Sequence, residues 1–314
     1  MSKHRRVSLV LLLCIAVAGC AVVHASGQSP VSTRAVDARS STPVATARSG
    51  PSKVLDWRAA QKDIPSFPEC LGRPLDHCIV VHGSGTRVLL MGDSLARMWL
   101  PAFTAIAHRR SLNLAVAIYP ACPWPEDLSG LGISPGCQTS REDWYKRIIP
   151  AFAPAIVFLA NRPYDAPGNE LTLTVSGHVR SARDPIAVRA ISASMRRSIA
   201  RLRGGGRKLV LLEPTPLPVH RAYDPMSCVA TGRRDCTFTV SPLVTPLTQF
   251  DRTLAQAADV WSLDLNRLVC PRFPVCDAIV RGLIVRRDHT HLTATYARAL
   301  ADPLDALLRG RHIL

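Results

Sequence analysis

The chain has 314 residues, of which 47% are hydrophobic and 20% charged, and a formal net charge of +16. That composition is that of a globular protein with a real core, large enough for one large domain or two small ones. The charge invites nucleic acid as a partner, but it comes in short pairs (Arg109-Arg110, Arg196-Arg197, Arg233-Arg234, Arg286-Arg287), and aromatics are only 5%. Stacking platforms and zinc-finger spacing are both missing, so the pattern argues against nucleic acid and for a solvated basic surface facing anionic lipid or cell-wall polymer.

The first 25 residues read as an export signal. Lys3, Arg5 and Arg6 precede an apolar run from Val7 to Ala18, too short to span a bilayer with its own topology. Two exits compete. Val17-Ala18-Gly19-Cys20 resembles a lipobox with Cys20 as the lipidated residue, and Val23-His24-Ala25 resembles an ordinary cleavage site. An uncleaved anchor is the third reading. All three put the rest of the chain outside the cytoplasm, as a membrane-anchored lipoprotein or a secreted protein touching the membrane only through its N-terminus. Residues 26–52 are mostly Ser, Thr, Ala, Val, Pro, Arg and Gly, a tether that cannot bury enough surface to fold. Residues 53–314 are the folded domain.

Lys53 to Val81 reads as an irregular cap. Val88–Met91 is a buried strand, punctuated by Gly92 and Asp93. Ser94 stands where the chain leaves the sheet for a helix, Ala96 to Arg110. Its hydroxyl lies at the carboxyl edge of a sheet and its N–H near a helix N-terminus, as a nucleophile with half an oxyanion hole requires. Read without function, Ser94 only caps the helix. Strands follow at Leu112–Ile118, Ala155–Ala160, Leu209–Leu212 and Trp261–Leu265. Helices are expected at Arg141–Ile149, Ile186–Arg203, Pro246–Ala258 and Thr293–Leu308, the last bent by Pro303. A hairpin is possible around Leu171–Val175. Alternating strands and helices, with strands apolar throughout, argue for a five-stranded, mostly parallel sheet covered on both sides, a doubly wound three-layer α/β fold.

Ten cysteines are present. Outside the signal they form neighbouring couples: Cys70 and Cys78, Cys122 and Cys137, Cys228 and Cys236, Cys270 and Cys276. An exported chain with an even count implies disulfides; eight cysteines allow about 105 connectivities, of which the local couples are the simplest. Zinc is the alternative, disfavoured by the spacing.

A serine needs a base and the base an orienter. Asp288-His289-Thr290-His291 precedes the last helix, and an Asp and a His three apart can point to one side. Read without function, this is a polar loop capping the helix. Gly92-Asp93-Ser94-Leu95 after a first strand, with Asp288-x-x-His291 near the C-terminus, resembles the SGNH (GDSL) hydrolase superfamily. The likeness is greatest to the SGNH domain fused to membrane acyltransferase-3 proteins, which O-acetylate cell-surface polysaccharides. Val88 to Phe103, Cys122-Pro123, the Cys270-Pro271 to Cys276 couple and Asp288 to Ala297 carry it.

The resemblance implies a flavodoxin-like SGNH fold with disulfide-closed loops. It makes Ser94 the nucleophile, His291 the base, Asp288 its orienter, and Ser94 N–H with Asn161 the oxyanion donors. It implies no metal or organic cofactor, a cell-envelope glycan or lipid as substrate, and a membrane acyltransferase as acyl donor where transfer rather than hydrolysis occurs. The chain departs from the pattern where a glycine is expected (Tyr119-Pro120-Ala121-Cys122), after Asn161 (Arg162-Pro163), and at Leu95. These departures motivate the alternative, a non-catalytic domain of the same fold that binds wall polymer or a membrane acyltransferase partner.

Overall fold

The computed structural model describes residues 55–166, 171–218, 224–233 and 235–314. The export signal, Cys20 and the tether to residue 52 lie outside the described residues.

In chain order the strands are β1 (Ile79–His82), β2 (Arg87–Gly92), β3 (Asn113–Ile118), β4 (Ile156–Ala160), β5 (Thr172–Val175), β6 (His178–Ser181), β7 (Lys208–Leu212), β8 (Thr237–Thr239), β9 (Val260–Leu263), β10 (Val275–Asp277), β11 (Ile279–Val280) and β12 (Leu283–Ile284). The α-helices are α1 (Trp57–Lys62), α2 (Ser94–Arg110), α3 (Cys137–Asp143), α4 (Ile149–Phe152), α5 (Pro185–Leu202), α6 (Pro225–Ala230), α7 (Pro246–Leu254), α8 (Asn266–Val269), α9 (Ala294–Ala299) and α10 (Ala301–Gly310). One turn of π-helix, Trp144–Ile148, joins α3 to α4.

The main sheet has the order β1-β3-β2-β4-β7-β9. Five of its strands run parallel, as the apolar runs predict. The sixth, β1, pairs antiparallel with β3 inside the segment expected to be an irregular cap. It is short and only partly buried, so it lacks the continuous apolar run that marks the inner strands. One crossover, from β2 to β3, leads one way and the next three, from β3 to β4, β4 to β7 and β7 to β9, lead the opposite way, so the order reverses between β2 and β4. In doubly wound sheets that reversal opens a crevice at the carboxyl edge. Helices α2, α9 and α10 pack together, and α5 packs on α7; right-handed crossovers put the two groups on opposite faces.

The sheet is buried on both sides. Leu89, Leu90, Met91, Ala115, Val116, Val157, Phe158, Leu209 and Val210 are wholly inaccessible or nearly so. The expected single C-terminal helix is two. It breaks at Leu300, three residues before Pro303. Proline has no N–H to donate to Ala299 and its ring clashes one turn back, so it is tolerated only in the first turn of a new helix. There Leu304 N–H donates to the Leu300 carbonyl (2.9 Å).

Three of the four expected cysteine couples are disulfides: Cys122–Cys137, Cys228–Cys236 and Cys270–Cys276. The fourth is not. Cys70 and Cys78 are buried free thiols. Each sulfur is turned toward a backbone acceptor, Cys70 Sγ toward the Val116 carbonyl (3.5 Å) and Cys78 Sγ toward that of Cys70 (3.9 Å). Their mutual hydrogen bond, and then burial, push the Cys70 thiol up.

Candidate active site

Gly92 closes β2 at a point where β4 runs against it. Its φ is +143°, and a Cβ there would lie 1.8 Å from the Ala160 carbonyl oxygen. Only glycine fits this approach. Asp93 then caps α2: its side chain accepts from Leu95 N–H (2.8 Å), and its carbonyl accepts from Arg97 N–H (3.1 Å). Ser94 is the first residue of the helix, not a residue before it. It sits half-buried at the carboxyl edge, beside the reversal of strand order.

The late loop reaches the same place. Arg286 and Leu292 form an antiparallel bridge, and Arg287 N–H donates to the His291 carbonyl (3.0 Å). The residues between are thereby folded into a tight loop. Asp288 Oδ1 accepts from the N–H groups of Thr290 (2.8 Å) and His291 (2.7 Å). Both its oxygens lie against His291 Nδ1, at 3.0 and 2.9 Å. His291 Nε2 lies 2.8 Å from Ser94 Oγ. Burial pushes the Asp288 carboxyl up, but its bonds to His291 and the backbone outweigh this and hold it well below the usual carboxylate range. Arg287 adds a contact at 2.9 Å. Thr293 caps α9, accepting from Tyr296 N–H (3.1 Å). His289 does not join this chain; its Nδ1 is buried without a partner among the described residues.

A hydroxyl in contact with an imidazole whose other nitrogen faces a carboxylate can lose its proton as it attacks an acyl carbon. The surroundings bear on the charge that then develops. Asn161 follows β4, with its Nδ2 donating to the Arg162 carbonyl (3.1 Å) and its Oδ1 buried without a partner. Where a glycine is expected, Ala121 adopts φ +53°, the left-handed region that favours glycine. Ser134 N–H holds the Ala121 carbonyl (3.0 Å), while the Ala121 N–H donates to no acceptor among the described residues.

Two residues of the site escaped the sequence reading. Asp93 was legible only as turn punctuation, although a carboxylate between a buried strand and a helix is itself an N-cap signal. Arg286 counted as half of a surface basic pair, yet it is 2% exposed. Its guanidinium donates to the carbonyls of Thr290 (2.6 Å) and Pro216 and to Thr215 Oγ1 (3.4 Å), and burial lowers it to about 10. It ties the His291 loop to the chain leaving β7. Trp124 is buried in the core. Beyond Thr215 and Pro216 lies a cleft of about 340 Å³, walled by prolines with Glu213, Arg252 and Asp165 among its polar groups. Among the described residues no cluster of His, Cys, Asp or Glu is arranged to hold a metal ion.

A doubly wound sheet with a serine, a histidine and a carboxylate joined at its switch point is the architecture of the SGNH hydrolase fold. The family model for the SGNH domain (fused to AT3 domains) matches residues 62–306, and the chain belongs to that family of hydrolases and acyltransferases. No curated protein sequence matches it. Among solved structures it is similar to the periplasmic domain of a lipopolysaccharide acetyltransferase from Salmonella ser. Paratyphi A. That likeness has 14% identity and a TM-score of 0.50, over 82% of this chain and 98% of the other; at this identity it speaks for the fold alone. A protein described as an acylhydrolase from Bacteroides fragilis follows, at 12% identity and a TM-score of 0.43, over 83% and 100% of the two chains. A carbohydrate esterase family 2 enzyme with its carbohydrate-binding domain, from Corynascus thermopiles (Myceliophthora fergusii), has 14% identity and a TM-score of 0.43, over 73% and 67%.

Proposed function

We propose that this protein is an extracytoplasmic serine enzyme of acyl transfer, an O-acyl esterase or O-acetyltransferase acting on a cell-envelope glycan or lipid. The observation that carries the reading is the unbroken contact from Ser94 Oγ through His291 to Asp288. Ser94 Oγ attacks the ester carbonyl while His291 Nε2 takes its proton. Asp288 holds the imidazole with its other proton on Nδ1 and stabilises the cation that forms. The tetrahedral oxyanion is met by the Ser94 N–H, and by Asn161 Nδ2 once it turns from the Arg162 carbonyl. The Ala121 N–H, where the family pattern has glycine, is the third donor. His291 then protonates the leaving alcohol, and an acyl-Ser94 ester remains. Water or a sugar hydroxyl, deprotonated by His291, takes the acyl group and restores the serine. For transfer, a membrane acyltransferase supplies the acyl group, and the proline-walled cleft beside the site receives the acceptor. The three disulfides agree with maturation in an oxidising compartment. In this reading residues 1–25 are the export signal, ending in lipidation of Cys20 or ordinary cleavage. Residues 26–52 are the tether and 53–314 the working domain.

The Asn161 donor engaged by Arg162 favours a second reading, a non-catalytic domain that binds wall polymer or a membrane acyltransferase partner. The soluble chain and its Ser94→Ala variant, compared on p-nitrophenyl acetate, decide between them. Turnover lost in the variant supports the enzyme; equal rates refute it.

A further inference from the structure

Asp93 is 1% exposed, and its bonds reach both sides of the switch point. Its Oδ1 accepts from Leu95 N–H (2.8 Å) and its Oδ2 from Arg162 N–H (2.8 Å). Its own N–H donates to the Ala160 carbonyl (3.3 Å). The Leu95 N–H belongs to the peptide that follows Ser94, and the Arg162 N–H to the peptide that follows Asn161. One carboxylate therefore fixes both peptides in a single frame. A neutral amide cannot do this, because only one of its two terminal atoms accepts.

Resting on the acyl-transfer reading above, we propose that Asp93 is a positioning residue whose carboxylate sets the Ser94 and Asn161 donors of the oxyanion site relative to each other. The groups that face it are His291 from the loop before α9, and Arg162 and Tyr164 from the segment after β4. Burial pushes the Asp93 carboxyl up to about 6, against the pull of its two backbone donors, His291 and Arg162. The clamp is thus complete at neutral pH and loses an acceptor as pH falls through that value.

The test compares wild type and Asp93→Asn on p-nitrophenyl acetate from about pH 5 to 8. A displaced donor costs about 100-fold. The expected result is a fall of that order in kcat with KM within threefold, phenylboronic acid binding weakened in step, and one ionisation fewer on the acid limb. A folded variant with kcat within threefold and an unchanged pH profile overturns the proposal while leaving the acyl-transfer reading intact. Where the variant does not fold, the Leu95 and Arg162 amide protons of the Ser94→Ala chain decide. Their NMR shifts titrate together near pH 6 if the clamp exists, and their failure to do so overturns it. That measurement needs no turnover, so it separates loss of the clamp from loss of the enzymatic reading.

Discussion

Replacing Asp288 by Asn tests how the proposed base is held. Asp288 Oδ1 is fixed by the Thr290 and His291 N–H groups, at 2.8 and 2.7 Å. The amide oxygen must occupy that place, because both neighbours are donors. The amide nitrogen then takes the place of Oδ2, which lies 2.9 Å from His291 Nδ1. A donor now faces Nδ1 beside the amide oxygen, which stays 3.0 Å away; the carboxylate's two-oxygen hold on an Nδ1 proton is gone, and the ring proton shifts toward Nε2. That nitrogen stands 2.8 Å from Ser94 Oγ and can no longer take its proton. The wrong tautomer costs a serine triad about 10⁴ in turnover, roughly 5.5 kcal/mol of barrier. We expect kcat on p-nitrophenyl acetate to fall by about that factor with KM little changed, since Asp288 touches no substrate. A folded variant retaining more than about a tenth of wild-type kcat would refute the tautomer argument. The same substitution carries a stability signature. The folded Asp288 carboxyl is depressed, so its contribution is present above the ordinary carboxylate range and is lost as pH falls toward the depressed value. Asp288→Asn removes that part of the acid sensitivity, which acid titration followed by tryptophan fluorescence reads.

Two further outcomes follow from packing. Gly92→Ala places a methyl 1.8 Å from the Ala160 carbonyl oxygen at a φ of +143°; strain and forced separation of β2 from β4 should cost about 3 kcal/mol or more, and an unchanged urea midpoint contradicts the assignment. Alkylation with peptide mapping should label Cys70 and Cys78 only after unfolding, because both thiols are buried and not joined in a disulfide; finding a Cys70–Cys78 cross-link in the native protein would contradict this.

Much of the architecture was legible because its signals are local. Val88–Met91, Ala155–Ala160 and Leu209–Leu212 are apolar on consecutive residues, the mark of a strand buried on both faces. Strand β1 left no such mark, being four residues at an edge, one face of which needs no apolar cover. The break at Leu300 was legible as a bend through Pro303 but not as a full stop, since that depends on how α9 and α10 pack beside α2. The fourth cysteine couple shows the limit of spacing. Cys70 and Cys78 are as near in sequence as Cys228 and Cys236, yet backbone acceptors hold their sulfurs.

The site divides in the same way. The amino-acid sequence by itself determined that a serine stands between a buried strand and a helix, that Gly92-Asp93 punctuates the strand before it, and that an Asp and a His stand three apart in one loop. Each is a matter of a few neighbouring residues whose backbone preferences act alone. Only the tertiary structure decided that Ser94 and His291, 197 residues apart, meet at 2.8 Å, that Asp93 spans the switch point, and that Arg286 lies inside and not on the surface. Those facts depend on which loops the twisted sheet brings to one edge and how closely its strands approach there. Such contacts are set by packing across the whole domain, and no short stretch of sequence contains them.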